Sequence, residues 1–276
     1  MEPRLPPGLY IVATPIGNLS DLSPRAAETL RGAELILAED KRVTAKLLAH
    51  AGARAPMVTY HDHSSGQDRQ RALDAIATKA VALVSDAGTP LISDPGYKLV
   101  RAVRAANLPI VTIPGPCAAI AALTVAGLPT DRFLFAGFLP TKSKARRDAI
   151  AELAGLKASL VFYESGPRLG DSLADLSVTL GDREAAVVRE ISKLHEECVA
   201  GTLSELAGRY ADAPPKGEIV IVVGPPAEQA ASEADLDAAL RESLASMSPS
   251  RAAAEVADLL GVPKKRAYAR ALELSR

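Results

Sequence analysis

Acidic side chains follow the predicted strands in the first half of the chain. Glu39 and Asp40 end the segment ELILAED, Asp86 ends AVALVSD, and Asp94 lies in the loop that comes next. A carboxylate in such a place can contact a ligand or accept a proton from a substrate. Each one alone is better explained as a helix N-cap or a solvated loop residue. The acids are consistent with base chemistry but do not assign it.

Loops rich in glycine and proline are a second feature that could bind a ligand. TPIGN (14–18) and AGTPLISDPG (87–96) each follow a predicted strand, and PGP (114–116) joins a strand to a helix that starts with small residues. Ligands of open α/β sheets bind beyond the carboxyl ends of strands, where such loops converge. Glycine and proline let the backbone approach a ligand closely, although they can also serve only to turn the chain. The first two loops match neither a G-x-G-x-x-G turn nor a P-loop, so dinucleotide and nucleoside triphosphate cofactors lack their usual motifs.

Histidine and cysteine give little support for metal or covalent chemistry. The clusters HDH (61–63) and HEEC (195–198) lack a second pair of ligands at zinc-site spacing, so no metal site is predicted. His61 and His63 share one side of an extended segment and could face a substrate. Cys117 could act as a nucleophile at a helix start, but no histidine lies nearby in sequence. We interpret it as a small packing residue.

Basic residues cluster in two places, although the whole chain has a formal net charge of −1. TKSKARR (141–147) opens a predicted helix with Lys142, Lys144, Arg146 and Arg147, and PKKR (263–266) opens another. From Arg241 to Arg276, seven basic residues minus four acidic ones give a charge of +3. A global charge near zero does not attract nucleic acid, so any such contact needs local patches. Either cluster can be a solvated face or a phosphate contact.

Short apolar segments alternate with segments of helical period. This pattern predicts two α/β units, each with a mostly parallel sheet joined by crossover helices. The first unit has strands GLYIVA, ELILAED, PMVTY, AVALVSD and PIVTI, with helices over 24–31, 41–51, 66–79 and 96–106. The second has strands RFLFAGF, SLVFYES, EAAVVREI and GEIVIVV, with helices near 118–126, from 144, from 168 and near 203–209.

The last part of the chain predicts a separate small helical domain. Residues 224–237 mix Pro, Ala, Ser and acids without a period, which is typical of a linker. Beyond it, Ser248 and Pro249 start one helix, and Gly261-Val262-Pro263 separates it from a second, which predicts a helix-turn-helix. The predicted domains are therefore 1–115, 116–225 and 236–276.

Composition limits the class of protein. With 276 residues, 48% hydrophobic and 24% charged, the chain is long enough for two modest cores. Its apolar runs are strand-sized, far below the ~20 residues of a membrane-spanning helix. The N-terminus lacks the pattern of a signal peptide, and two cysteines are too few for a disulfide framework. We therefore expect a cytoplasmic protein that does not cross a membrane.

Several long motifs resemble those of one known family. They are, in order, LYIVATPIGNLSDLSPRA, LILAEDKR, ALVSDAGTPLISDPGYKLV, PGPCAAIAALTVAGLPTDRFLFAGFLP, VFYES and KGEIVIVV. Spread from about Leu9 to Val223, they are similar to the tetrapyrrole methylase superfamily, and within it to the enzymes that methylate small-subunit ribosomal RNA. The tail resembles the helix-turn-helix domain appended to many members.

The resemblance implies two α/β domains with S-adenosylmethionine in the cleft between them, a homodimer, and methylation of a cytidine 2′-hydroxyl in the decoding region of 16S rRNA. It implies cofactor contacts at Pro15, Ala87, Gly88, Thr89, Ile92, Cys117, Ala118, Tyr163 and Glu190. Asp86, Asp40 and His61 are the catalytic candidates that we select. The expected RNA contacts are Arg42, Glu164, Lys142, Lys144, Arg146, Arg147, Lys264, Lys265 and Arg266.

Two departures from the family pattern and two alternatives accompany this hypothesis. Lys41 stands where members more often carry Thr, and Pro167 replaces a His. The loss of this His weakens any proposal that the segment supplies a catalytic base. One alternative is a C-methyltransferase of a tetrapyrrole precursor, which would need no extended phosphate contacts. The other is a DNA-binding regulator that uses the tail helix-turn-helix, with the α/β body as a ligand sensor.

Overall fold

The computed structural model describes residues 5–61, 64–227 and 233–275. They fall into two compact units, one up to Pro226 and one from Ala227 onward. Among these residues, no helix is both long and apolar enough to cross a membrane. The larger unit contains two five-stranded sheets. The division of this unit into domains at residue 115 stays a prediction.

The first sheet is wholly parallel. Its strands lie in the order β3-β2-β4-β1-β5. They are β1 (Gly8–Val12), β2 (Leu35–Ala38), β3 (Met57–Thr59), β4 (Ala80–Val84) and β5 (Ile110–Ile113). The helices that connect them are α1 (Pro24–Gly32), α2 (Lys41–Ala51), α3 (Gly66–Thr78) and α4 (Tyr97–Ala105). A short 3-10 turn, Leu19–Asp21, precedes α1. The parallel sheet that the sequence predicts is confirmed here.

Burial on both faces explains the continuous apolar runs of this sheet. Along β4, Ala80, Ala82 and Val84 pack into one core, and Val81 and Leu83 pack into the opposite one. Helices cover both faces, so each strand can be apolar at every position.

Local capping fixes where the helices of this sheet begin. The Ser23 hydroxyl accepts a hydrogen bond from the Ala26 N–H, with Pro24 in the first turn of α1. Asp40 accepts from the Arg42 N–H at the start of α2, and Gly52, with φ +69°, ends that helix. A capping box of Ser65 and Asp68 starts α3. The helix bounds therefore follow from side chains that are visible in the sequence.

The second sheet is mixed, and the prediction that it is mostly parallel is wrong. Its order is β6-β7-β10-β8-β9, and only β6 and β7 are parallel. The strands are β6 (Phe133–Phe138), β7 (Ser159–Ser165), β8 (Glu184–Arg189), β9 (Glu197–Thr202) and β10 (Glu218–Val223). The helices are α5 (Ala118–Val125), α6 (Ser143–Ala151), α7 (Leu169–Leu180) and α8 (Leu203–Tyr210), with a 3-10 turn at Gly166–Arg168.

Strand β9 accounts for part of this difference, because the sequence reading missed it. Its segment ECVAGT lies at the sheet edge and is partly exposed, so it lacks the apolar run of a buried strand. Only a short loop joins β8 to β9, and a crossover helix would be needed to make them parallel. The two strands therefore pair antiparallel.

The described residues of the smaller unit form three helices. They are α9 (Glu233–Leu244), α10 (Pro249–Leu260) and α11 (Lys264–Leu274), packed around Leu236, Leu240, Ala253, Val256, Ala257, Val262, Ala267 and Ala271. Gly261, with φ +65°, ends α10, and Pro263 precedes α11, as the helix-turn-helix reading predicts. The predicted linker is too long, because residues from Glu233 are already helical.

Candidate active site

A cavity of about 360 Å³ lies in the larger unit, and residues from both sheets line it. The first sheet and its loops contribute Ile16, Glu39, Asp86, Ala87, Gly88, Thr89, Ile92, Ser93 and Asp94. The second half contributes Cys117, Ala118, Phe138, Tyr163, Glu164, Ser165, Ile191, Gly217, Glu218, Ile219 and Val220. Glu39 and Asp86 come just after β2 and β4, so the cavity lies at the carboxyl ends of these strands.

Hydrogen bonds hold the three glycine- and proline-rich loops together at this cavity. Thr14 and Gly88 exchange two backbone hydrogen bonds of 2.8 and 3.1 Å. The Thr89 hydroxyl donates to the Pro116 carbonyl oxygen at 2.9 Å. Gly88 has φ +86°, and a Cβ there would lie 3.2 Å from Ile16 Cγ2. Glycine is therefore required for this close packing of two loops.

Strained backbone is concentrated in two segments next to the cavity. Leu91 and Ser93 have φ of 75° and 61°, and Glu190 and Ser192 have φ of 51° and 67°. Residues other than glycine rarely adopt positive φ values. Where they do, the surrounding structure must hold the backbone in that conformation. Ile92 and Ile191, the residues between these pairs, both line the cavity. The strain therefore fixes the direction of two lining residues.

Three carboxylates, those of Glu39, Asp86 and Asp94, share one part of the cavity wall. The pKa of Asp94 is raised to about 6, mainly by burial and also by the charges of Glu39 and Asp86, while a hydrogen bond from Ser85 opposes the rise. Burial and the Asp86 charge also raise the pKa of Glu39. Asp86 Oδ1 accepts a hydrogen bond from the Asp40 N–H at 3.0 Å. This wall favours a positively charged ligand over a negative one.

An aromatic group lies on the side of the cavity that belongs to the second sheet. The Tyr163 ring makes edge contacts with Phe135 at 4.8 Å and Phe138 at 5.6 Å between ring centres. Its hydroxyl accepts a hydrogen bond from the Ala119 N–H at 3.2 Å, in the first turn of α5. Burial raises the pKa of Tyr163. Tyr163 is therefore a neutral, fixed part of the wall.

Most of the expected cofactor contacts lie in the cavity lining. These are Ala87, Gly88, Thr89, Ile92, Cys117, Ala118 and Tyr163. Pro15 and Glu190 are not lining residues, and their neighbours Ile16 and Ile191 take that position. The Glu190 carboxylate accepts hydrogen bonds from Lys193 and from the Glu218 N–H, so it anchors its loop to β10.

Of the three expected catalytic residues, only Asp86 lines the cavity. Asp40 caps α2 and pairs with Arg42 at 2.7 Å, and this partner lowers the pKa of Asp40 to about 2. Arg42 itself is exposed. His61 lies on the surface after β3. Asp62 and His63 lie outside the described residues.

The expectation that Glu164 contacts RNA is wrong. Its carboxylate is fully buried, accepts a hydrogen bond from the Ser172 hydroxyl at 2.7 Å and pairs with Arg168 at 3.3 Å. These partners satisfy the charge inside the protein. Glu164 therefore stabilises the connection between β7 and α7.

Arg146 also requires correction, because it is buried. Only 4% of its side chain is exposed, and its Nε lies 2.7 Å from Asp175 Oδ2. Lys144 is exposed and pairs with Asp148, and Lys142 and Arg147 are exposed as well. In the smaller unit, Lys264, Lys265 and Arg266 are exposed in the first turn of α11. All these cations except Arg146 are accessible to a partner.

The start of β10 is one part of the lining that the sequence analysis missed. Gly217, Glu218, Ile219 and Val220 line the cavity because β10 lies between β7 and β8. The motif KGEIVIVV identifies the strand, but nothing in it reveals this central place. Within the described part of the chain, no group of three or more His, Cys, Asp or Glu side chains is placed to hold a metal ion.

Comparison with known proteins gives this architecture a family. Residues 8–207 match the family model of Tetrapyrrole (Corrin/Porphyrin) Methylases, and residues 230–275 match that of the RsmI C-terminal HTH domain. A protein of Erythrobacter litoralis, named Ribosomal RNA small subunit methyltransferase I, is 57% identical over 98% of this chain and 96% of its own length. This chain belongs to the ribosomal RNA small subunit methyltransferase I family.

Two further relatives extend this family match. Proteins of the same name from Mesorhizobium japonicum and Escherichia coli O157:H7 are 47% and 45% identical to this chain. The first match covers 98% of this chain and 93% of that protein, and the second covers 96% and 94%. Both family members therefore match both units of this chain.

Solved structures confirm the fold. Uroporphyrin-III-C-methyltransferase from Thermus thermophilus matches with a TM-score of 0.57 and 22% identity, over 79% of this chain and 94% of that one. Diphthine synthase matches with a TM-score of 0.61 and 16% identity, over 78% and 89%. The predicted tetrapyrrole methylase fold with an added helical domain is confirmed.

Proposed function

We propose that this chain uses S-adenosylmethionine to methylate the RNA of the small ribosomal subunit. The finer proposal is that the acceptor is the 2′-hydroxyl of a cytidine in the decoding region of 16S rRNA. Near full-length identity to relatives of that name supports the first statement. The observation that carries it in the structure is the cavity, which is built from the same loops that carry the family motifs.

The residues of the cavity fit the cofactor that we propose. Its volume lies within the range of small-molecule sites, and its lining combines apolar side chains with backbone groups of the Gly88 loop and the start of α5. We propose that Ala87, Gly88, Thr89, Ile92, Cys117, Ala118 and Tyr163 hold it. When bound, S-adenosylmethionine supplies an electrophilic methyl group on a positively charged sulfur.

The chain's own contribution is to orient the acceptor and to take its proton. Asp86 lines the cavity and its carboxylate is reached by solvent. One oxygen, Oδ1, accepts the hydrogen bond from the Asp40 N–H, and Oδ2 has no hydrogen-bond partner among the described residues, so it can accept a hydroxyl proton. We propose Asp86 as the general base, held in place by the hydrogen bond from the Asp40 N–H.

The remaining parts of the proposal concern the partners. We propose that exposed cations, namely Lys142, Lys144, Arg147, Lys264, Lys265 and Arg266, contact RNA phosphates, and that Arg42 does so near the cavity. We also propose a homodimer in the cytoplasm, where its ribosomal acceptor is found. Sedimentation of the purified protein tests the dimer, because a single species of 28.8 kDa contradicts it.

One assay tests donor, acceptor and reaction together. Purified protein is incubated with labelled S-adenosylmethionine and small ribosomal subunits that lack the modification, and the nucleosides are analysed by mass spectrometry. We expect label in a 2′-O-methylated cytidine. Label on another nucleoside would support the RNA methyltransferase activity but contradict the cytidine 2′-hydroxyl as the acceptor. Binding of the cofactor without transfer to subunits would reject the RNA acceptor and direct the search to small tetrapyrroles.

A further inference from the structure

An exposed aromatic ring lies in the cavity lining. Phe138, at the end of β6, lines the cavity and is 57% exposed. The next most exposed large apolar lining residue that the structure describes is Ile92, at 39%. Leaving a phenylalanine ring in water forgoes its hydrophobic stabilisation, and more than half of this ring is not covered by any described residue. A planar ligand that covers the ring would recover it.

An irregularity in β6 aims Phe138 at the cavity. Residues three apart on a regular strand point to opposite faces of a sheet. Phe135 and Phe138 nevertheless both contact the Tyr163 ring, because the pairing of β6 with β7 shifts register between Phe135 and Gly137. Gly137 has φ +68°, which allows this bulge. The bulge thus turns the Phe138 side chain toward Tyr163, whereas a regular strand would point it away.

The ring of Phe138 is also held in position from behind. Tyr163 supports it at 5.6 Å and is itself fixed by the hydrogen bond from the Ala119 N–H. On the other side, the bulge lies close to the first sheet's loop, since a Cβ on Gly137 would be 3.3 Å from Ser93 Oγ. A supported ring with one open face is a preorganised surface for stacking.

We propose that Phe138 is the stacking surface for the base of the nucleotide that receives the methyl group. This inference rests on the proposed function, since it needs an RNA acceptor. To bring a ribose hydroxyl to Asp86 inside the cavity, the nucleotide must leave its stack in the RNA, which costs free energy. Stacking on an aromatic side chain at the cavity offsets that cost for any base.

The test compares two phenylalanines of one strand. Phe133 is also on β6 and is 44% exposed, but it does not line the cavity, so Phe133→Ala is the matched control. We expect Phe138→Ala to lower kcat/KM for unmodified small subunits about 10- to 100-fold. Phe138→Leu should show most of this loss, and Phe138→Tyr should retain activity within about threefold. The Kd for S-adenosylhomocysteine, measured by calorimetry, should stay within about twofold in all of them.

Each outcome decides the proposal. Unchanged kcat/KM in Phe138→Ala, a loss of the same size in Phe133→Ala, or full activity in Phe138→Leu overturns it. A rise in the Kd for S-adenosylhomocysteine that matches the loss of kcat/KM assigns the ring to the donor and overturns it as well. If Phe138→Ala does not fold, Phe138→Leu against Phe138→Tyr decides. If the wild type transfers no methyl group to subunits, the proposed function itself fails, and the inference fails with it.

Discussion

At the scale of single residues, three of the carboxylates that line the cavity, those of Glu39, Asp86 and Asp94, differ in their surroundings. Asp86 is exposed, and its Oδ2 has no hydrogen-bond partner among the described residues. Asp94 and Glu39 are partly buried, and burial and the charges of neighbouring carboxylates raise their pKa values. This supports Asp86 as the proton acceptor and assigns Asp94 to a region that favours a positive ligand.

Substitution of Asp86 tests the proton acceptor. We expect Asp86→Asn to lower kcat about 100-fold or more, because an amide cannot take the hydroxyl proton. The affinity for the cofactor should be near that of the wild type, since the side chain keeps its size and its bond from the Asp40 N–H. Single-turnover methylation and calorimetry measure the two effects. An unchanged kcat removes Asp86 from the mechanism.

Asp94 gives a prediction on stability against pH. Its pKa is raised from 3.8 to about 6 in the folded protein, so between about pH 4 and pH 6 the folded state binds more protons than the unfolded state. Stability therefore falls as the pH rises through this window, and the cost persists above it. Asp94→Asn should stabilise the protein at pH 7.5 by on the order of 1 kcal/mol, a figure reduced for solvent screening.

This gain should vanish near pH 4, where the wild-type carboxyl is protonated. Urea unfolding at several pH values measures it, with the exposed Asp131→Asn as a control that should show no such trend. An equal gain at pH 4 and pH 7.5 would contradict a charge effect.

At the scale of elements, the buried ion pair of Arg146 and Asp175 joins α6 to α7. We expect Arg146→Ala to lower the free energy of unfolding by about 3 kcal/mol, because the mostly buried Asp175 carboxylate keeps only weaker contacts among the described residues, with the Ser143 hydroxyl at 3.2 Å and Arg147 at 3.8 Å. Lys144→Ala, two residues away on the same helix, should change it by less than about 0.5 kcal/mol, since the ion pair of Lys144 with Asp148 is exposed. Chemical denaturation measures both. Equal effects would mean that the Asp175 carboxylate finds other partners.

The sequence predicts elements well wherever burial and caps are local. The bounds of α2 and β7 agree with their predictions residue for residue, because α2 has an N-cap and a C-terminal glycine, and β7 is an apolar run. Strand β9 has neither signal, and the antiparallel pairing of β10 depends on contacts between distant segments.

The same distinction applies to the site. The loops around Gly88 and Cys117 carry glycine and proline at places that local sequence reveals. Gly217 and Phe138 enter the cavity only through strand order and through a bulge, which no local pattern contains. The burial of Arg146 and Glu164 depends on partners about 30 and 8 residues away, so their charges look accessible in the sequence.

At the scale of the whole molecule, basic side chains are divided between the two units. In the smaller unit, Lys264, Lys265 and Arg266 are exposed together at the start of α11. Replacement of all three by alanine should raise KM for small subunits and reduce the slope of log affinity against log salt by about two to three, because each phosphate contact releases counterions. The affinity for the cofactor should not change.

The control removes the same charge elsewhere. Lys79, Arg104 and Lys157 are exposed in the larger unit, and their replacement by alanine should leave the salt slope unchanged. Filter binding at several salt concentrations gives both slopes. Equal slopes of log affinity against log salt for the two triple variants would contradict an RNA contact by the smaller unit and indicate a structural role for it.

The central place of β10 has a consequence for how the protein is made. Translation delivers β7, β8 and β9 before β10, so the emerging second sheet lacks its middle strand until residues 218–223 have been added. The first sheet has all its strands once residue 113 is made and can form early. A nascent chain that stops after β9 thus has one complete sheet and an open gap in the other. Since Gly217 to Val220 also form part of the cavity wall, ligand binding can begin only after synthesis has passed Val223.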